Sequence, residues 1–128
     1  MIQIDVMSRQ PVYEQIISQI EQFVLTGILV SGSQIPSVRS LSVELSINPN
    51  TIQKAYSELD RRGIIYSVPG KGCFITNNAT DILSNHKRTQ IVELEKLMYE
   101  LVLAGVTKEE MIECIDKAFS MKGANQND

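Results

Sequence analysis

Residues 36–59 read PSVRSLSVELSINPNTIQKAYSEL, two amphipathic segments separated by Ser46-Ile47-Asn48. In the first segment Val38, Leu41 and Leu45 recur at the spacing of one helical face, and Ser37, just after Pro36, is placed to cap it. A short helix is predicted over residues 37–45. In the second segment Asn48 is a good N-cap and Pro49 suits the first helical turn, where its missing N–H costs nothing. Ile52, Ala55, Tyr56 and Leu59 form the inward face, and Gly63 ends the pattern. Two short helices around a tight turn are the result.

Working towards the N-terminus, Val12, Ile16, Ile20, Phe23 and Val24 mark an earlier amphipathic helix that starts at Pro11 and stops at Gly27. Ser31 to Pro36 reads as loop. Towards the C-terminus, Ile64-Ile65-Tyr66-Ser67-Val68 and Cys73-Phe74-Ile75-Thr76 flank Pro69-Gly70-Lys71-Gly72, which predicts a β-hairpin. Three helices followed by a hairpin is the order of a winged helix-turn-helix. Asn77-Asn78-Ala79-Thr80 is small and polar and reads as a linker. A helix is predicted from about Asp81 to Ala104, with a stripe of Ile91, Leu94, Leu97, Met98, Leu101 and Val102. Thr107-Lys108-Glu109-Glu110 is a capping box opening a last helix to about Lys122, and Gly123 to Asp128 reads as a frayed tail. The expected fold is mainly α with a small β-hairpin. Its domains are a winged helix-turn-helix over 1–76 and a two-helix tail over 77–128.

The chain has 128 residues, 43% of them hydrophobic, enough for a core and outside the disordered range. No apolar run has the length of a membrane span, and MIQIDVMSRQ lacks a signal-peptide pattern, so a cytoplasmic protein is expected. Cys73 and Cys114 stand apart without metal-ligand spacing, and His86 is the only histidine. No metal site or cofactor is predicted; Cys114 reads as a buried, inert thiol and His86 as a solvated helix residue. The net charge of −3 is uneven: residues 36–76 carry five basic side chains against three acidic ones. A locally basic face is compatible with a polyanionic partner, because phosphate contacts depend on local field.

Residues 11–76 carry a resemblance. Pro11-Val12-Tyr13-Glu14-Gln15-Ile16, Gly32 to Leu41 with its Pro36-Ser37-Val38-Arg39 element, Thr51 to Leu59, Arg62-Gly63-Ile64-Ile65 and Gly70 to Ile75 follow one another in the order of the GntR family of bacterial repressors. The Asn48-Pro49-Asn50-Thr51 segment and the short tail resemble its YtrA subfamily. The resemblance implies a sequence-specific transcription regulator, a repressor that binds a palindromic operator as a homodimer through a helical tail.

In a helix-turn-helix the second helix enters the major groove and its first residues meet base edges. Asn50 and Gln53 carry amides that can read adenine bidentately, Thr51 can meet a phosphate or a thymine methyl, and Lys54 suits a phosphate. Ser37 either caps its helix or bonds a phosphate. Arg39 lies in the element that resembles the family's phosphate-contacting segment. At the wing tip Gly70 and Gly72 permit close backbone approach, and Lys71 offers a cation to the duplex. Asn48 is primarily a cap. Arg61 and Arg62, at a helix C-terminus, complement the macrodipole without any DNA and are not assigned to the site.

Ile91, Leu94, Leu97, Leu101, Met111, Ile115 and Phe119 make a face more apolar than two isolated helices can bury, and a second copy is the expected cover. The partners expected are double-stranded DNA and a second subunit, with no membrane; no effector can be read from the residues. No catalytic set is visible and no enzyme is expected. The alternative is a winged helix used as a protein-interaction module without specific DNA binding.

Overall fold

The computed structural model describes residues 1–126, with side chains through Gly123; Asn127 and Asp128, the end of the expected tail, lie outside the described residues. Helix α1 (Val12–Leu25) buries Ile16, Ile17, Ile20 and Val24, the face predicted by its spacing. Pro11 is its N-cap, with an extended ψ of 149°, rather than its first helical residue. Before it, residues 1–10 form a strap that sequence periodicity did not reveal. Ile2 is buried, the Gln3 N–H donates to Gln19 Oε1 at 2.9 Å, and the Gln19 amide returns a bond to the Gln3 carbonyl. The buried Gln15 amide accepts from the Asp5 N–H at 2.9 Å and donates to the carbonyls of Asp5 and Gln10 at 3.0 and 2.8 Å. A buried amide is tolerated when its donors and acceptor are partnered in this way.

Helices α2 (Val38–Leu45) and α3 (Pro49–Arg61) follow, with Leu41 buried from the first and Ile52, Ala55, Tyr56 and Leu59 from the second. The hairpin forms from β2 (Ile65–Val68) and β3 (Gly72–Ile75), antiparallel. Tyr66 and Phe74 face each other across it with ring centroids 5.6 Å apart, a cross-strand aromatic pair. The segment expected as loop contains a further strand, β1 (Gln34–Ile35), which pairs antiparallel with β3 and makes the order β1-β3-β2. Two residues are too few to show an alternation, so this strand had no sequence signature.

Helix α4 (Ala79–Arg88) begins inside the expected linker, because Ala79 and Leu83 are buried in the same core as Ile64 and Ile75. The first compact unit accordingly runs Met1–Asn85, and the second is His86–Asp128. The helix predicted from Asp81 to Ala104 is broken at Thr89-Gln90. There the Thr89 hydroxyl bonds the His86 carbonyl at 2.6 Å and takes the backbone into a turn, the competition with helix that short hydroxyl side chains offer.

In the second unit α5 (Ile91–Leu103) and α6 (Lys108–Gln126) are the two tail helices. The predicted cap is present: the Thr107 hydroxyl accepts from the Glu110 N–H at 3.1 Å. Helix α6 continues through Gly123 to Gln126, where a frayed tail was expected. No residue of α5 is buried in the single chain. Among the described residues no helix is long and apolar enough to cross a membrane.

Candidate nucleic-acid interface

The turn between α2 and α3 is made by short-range polar bonds. Ser46 adopts the left-handed conformation at φ 55°, the Ile47 N–H donates to the Ser42 carbonyl at 3.1 Å, and the Ser42 hydroxyl donates to the Ile47 carbonyl at 2.5 Å. Asn48 then caps α3, its side-chain oxygen accepting from the Asn50 N–H at 2.8 Å. Ser37 caps α2 in the same manner, accepting from the Ser40 N–H at 3.0 Å. Its hydroxyl is engaged as the capping alternative requires, while Arg39, two residues on, is exposed.

With Ile52, Ala55, Tyr56 and Leu59 turned inward, the helical period leaves Asn50, Gln53, Lys54 and Ser57 exposed, with Thr51 half-buried on the flank. Gln53 donates to the Ser57 hydroxyl at 3.0 Å. The Lys54 ammonium stands 3.9 Å from the centroid of the Tyr13 ring, a cation–π contact that holds it on the α1 side of the helix. Tyr13 and Ser57 were not found by sequence reasoning; the Tyr13 contact joins residues far apart in the chain and has no local signature.

At the far end of α3 the arginines set aside on sequence grounds are occupied. Glu58 accepts from Arg61 at 2.9 Å and from Arg62 at 2.9 Å, and Arg62 reaches the nearly buried Glu21 of α1 at 3.1 Å. Hydrogen bonds from Arg61 and then Arg62 lower the Glu58 carboxyl to about 2. These groups border an open cleft of about 680 Å³ between α1 and α3, with Tyr13, Ser18, Lys54 and Ser57 on its other walls. Among the described residues Arg39 and Lys71 make no ion pair.

The wing tip is a β-turn in which the Lys71 N–H returns to the Val68 carbonyl at 3.0 Å. Pro69 supplies the second position, and Gly70, at φ 77°, takes the third, which requires a positive φ. Lys71 is exposed at its end. The segment 34–36 ties these parts together. The Tyr56 hydroxyl of α3 donates to the Pro36 carbonyl at 2.6 Å, and the Gln34 amide donates to the Lys71 carbonyl at 3.0 Å. Burial pushes the Tyr56 phenol well above the ordinary tyrosine range, so it remains a donor at any working pH.

Of the cysteines, Cys73 is half-buried and within 3.4 Å of the Ser67 hydroxyl. Cys114, expected to be buried, is exposed because its position on α6 has nothing packed over it in the single chain. His86 is exposed, as expected of a solvated helix residue. The seven tail residues assigned to a subunit contact lie on α5 and α6: Met111 is half-buried, and Ile91, Leu94, Leu97, Leu101, Ile115 and Phe119 are exposed.

A polar, partly cationic helix face beside a glycine-rich hairpin is a shape for a duplex, and known proteins agree. The sequence pattern of the gntR family of bacterial regulatory proteins matches residues 12–75. The chain is 44% identical to the HTH-type transcriptional repressor YtrA of Bacillus subtilis, over all of both chains. It is similar in structure to a GntR family transcriptional regulator from Listeria monocytogenes, at 34% identity and a TM-score of 0.71, covering 89% of this chain and 98% of that one. The DNA-binding domain of AraR in complex with operator ORX1 matches at 28% identity and a TM-score of 0.52, over 58% of this chain and 92% of that one. The chain therefore belongs to the GntR family, with YtrA among its relatives, and is a DNA-binding transcription regulator rather than an enzyme.

Proposed function

We propose that this regulator is a cytoplasmic repressor that occupies a palindromic operator as a homodimer and blocks transcription by standing on the promoter. The observation that carries the reading is the pair of surfaces on one chain. One is the polar outward side of α3; the other is the exposed apolar stripe of the tail. Exposed apolar area of this extent on a helical pair favours burial against a second copy, and twofold symmetry on the protein matches a palindrome on the duplex.

In this reading Arg39 and Lys71 meet phosphates, and Lys54 reaches a phosphate from its seat over Tyr13. Asn50 and Gln53 read base edges, Gln53 by exchanging its bond to Ser57 for one to a base. Ser37 presents the start of α2 to the backbone, Thr51 contacts a phosphate or a methyl group, and Gly70 and Gly72 let the wing approach closely. The winged helix-turn-helix of residues 1–76, extended by the docked start of α4, carries DNA binding, and the tail helices α5 and α6 carry dimerisation.

Fluorescence anisotropy on duplexes from upstream of the protein's own gene, against a scrambled duplex at several salt concentrations, tests the proposal. Tight binding to a palindromic segment with two protomers per site is the expected result. Equal, weak binding to both duplexes in a protein that sediments as a monomer would overturn it. Loss of all binding even at low salt would promote the protein-interaction alternative for this winged helix.

A further inference from the structure

The three-residue segment 34–36 bonds the recognition helix on one side and the wing on the other. Gln34 lies on β1, opposite Phe74 of β3, and its amide crosses to the carbonyl of Lys71, 37 residues along the chain. Gln34 is exposed, and two features mark its bond as a fitted contact rather than a chance rest against a loop. The bond, at 3.0 Å, goes to the backbone of the wing-tip cation itself. The space it needs is kept open by Gly72: a Cβ there would stand 2.7 Å from the Gln34 amide nitrogen, and the residue's φ of 128° is one that other side chains rarely adopt.

A two-stranded wing tip beyond its last ladder bond is otherwise held by its own turn, and such tips are mobile. Lys71 adds a long side chain to that mobility, and each rotor ordered on binding costs affinity. A bond from β1 to the Lys71 carbonyl fixes where the lysine leaves the backbone. Because Pro36 takes the Tyr56 hydroxyl two residues later, the same short segment registers that point against α3.

We infer that Gln34 is a positioning residue for DNA binding: it holds Lys71 at a fixed reach from the recognition helix, so that the wing contact forms without a search. This rests on the reading that Lys71 meets a phosphate. Gln34→Met keeps the length and shape of the side chain and removes the donor.

The test uses the full chain and a duplex of about 30 base pairs of random sequence at low salt, which needs no knowledge of the operator. Lys71→Ala should weaken binding and flatten the dependence of log affinity on log salt by about one per lysine–phosphate contact. Gln34→Met should weaken binding by a smaller factor, two- to fivefold, and flatten the same dependence. Adding Gln34→Met to Lys71→Ala should change neither quantity further, and the thermal midpoint of the single Gln34→Met variant should match that of the unaltered chain.

If Lys71→Ala flattens the salt dependence and Gln34→Met does not, the positioning role is wrong and the wing contact stands. If Lys71→Ala leaves affinity and slope untouched, the wing contact itself is wrong, and the role of Gln34 falls with it. A lowered midpoint, with losses that add in the double variant, would make Gln34 a merely structural residue and also overturn the inference.

Discussion

Leu83→Ala tests whether α4 belongs to the winged-helix unit. Leu83 is 1% exposed and sits in the same buried cluster as Leu59, Ile64 and Ile75. Truncating a fully buried leucine to alanine removes its transfer free energy and leaves a cavity, together about 2–5 kcal/mol. The lower part of that range is expected here, about 2–3 kcal/mol, because a terminal helix can shift into the space more easily than a central one. That is a large part of the roughly 5–15 kcal/mol that holds a small domain together. In urea, with a slope of about 1–3 kcal/mol per molar, the midpoint should fall by about 0.7–3 M. Far-UV circular dichroism at one fixed protein concentration reads it, the fixed concentration keeping the contribution of subunit association the same for each variant. Thr80→Ala, at an exposed position of the same helix, is the control and should stay within about 0.5 kcal/mol. A Leu83→Ala variant no less stable than that control would refute the docking of α4 and return the boundary to Thr76.

Leu101→Asp and Leu97→Asp place a charge on the exposed stripe of α5; the protein should remain folded by circular dichroism, sediment as a monomer and lose palindrome binding. Tyr56→Phe deletes the hydrogen bond to the Pro36 carbonyl and should cost about 0.5–1.5 kcal/mol. That corresponds to a fall of several degrees, at about 4–8 °C per kcal/mol, in a thermal melt followed by circular dichroism. For pH, the folded-state Glu58 carboxyl lies near 2, below its ordinary 4.5, so its contribution to stability is complete above 4.5 and is lost as pH falls towards 2. Glu58→Gln should therefore flatten the acid limb of a stability–pH profile between those values; an unchanged limb would remove the Arg61–Glu58–Arg62 set as its cause.

The parts legible in the sequence are those whose cause is local. The stripes of α1 and α3 repeat over several turns, and Ser37, Asn48 and Thr107 act within three residues of themselves as caps, so periodicity and capping chemistry locate them. The parts that were not legible depend on distant partners. Strand β1 exists because β3 offers it an edge, and the strap over residues 1–10 exists because Gln15 and Gln19 project bonds towards it. Ala79 looked like linker because small polar neighbours surround it, yet the core selects its methyl group through tertiary packing. In the site the same division holds. The outward placement of Asn50 and Gln53 follows from their position on a capped helix, whereas the seat of Lys54 on Tyr13 and the Gln34 bond to the wing cross between elements and leave no mark in any window of sequence.

The charge of the DNA-binding unit explains why recognition by a single copy would be weak. Residues 1–76 contain six basic side chains, and Arg61 and Arg62 spend theirs on Glu58 and Glu21. Redirecting Arg62 to a phosphate would strand the nearly buried Glu21, a cost that salt-screened phosphate contacts do not repay. With Arg9 outside the proposed interface, Arg39, Lys54 and Lys71 remain, so one protomer would neutralise on the order of three phosphates, and its affinity would vary with salt to about the third power. A clamp of that size would hold any duplex loosely, and in the proposed reading the amides of Asn50 and Gln53 supply discrimination on top of it. In the proposed dimer the phosphate contacts double and two half-sites must be matched at once. Specificity then multiplies while each wing and each recognition helix stays lightly charged. An acidic chain can be a selective DNA binder on these terms, because its net −3 resides in residues 77–128 and not in the winged-helix surface proposed to meet the duplex.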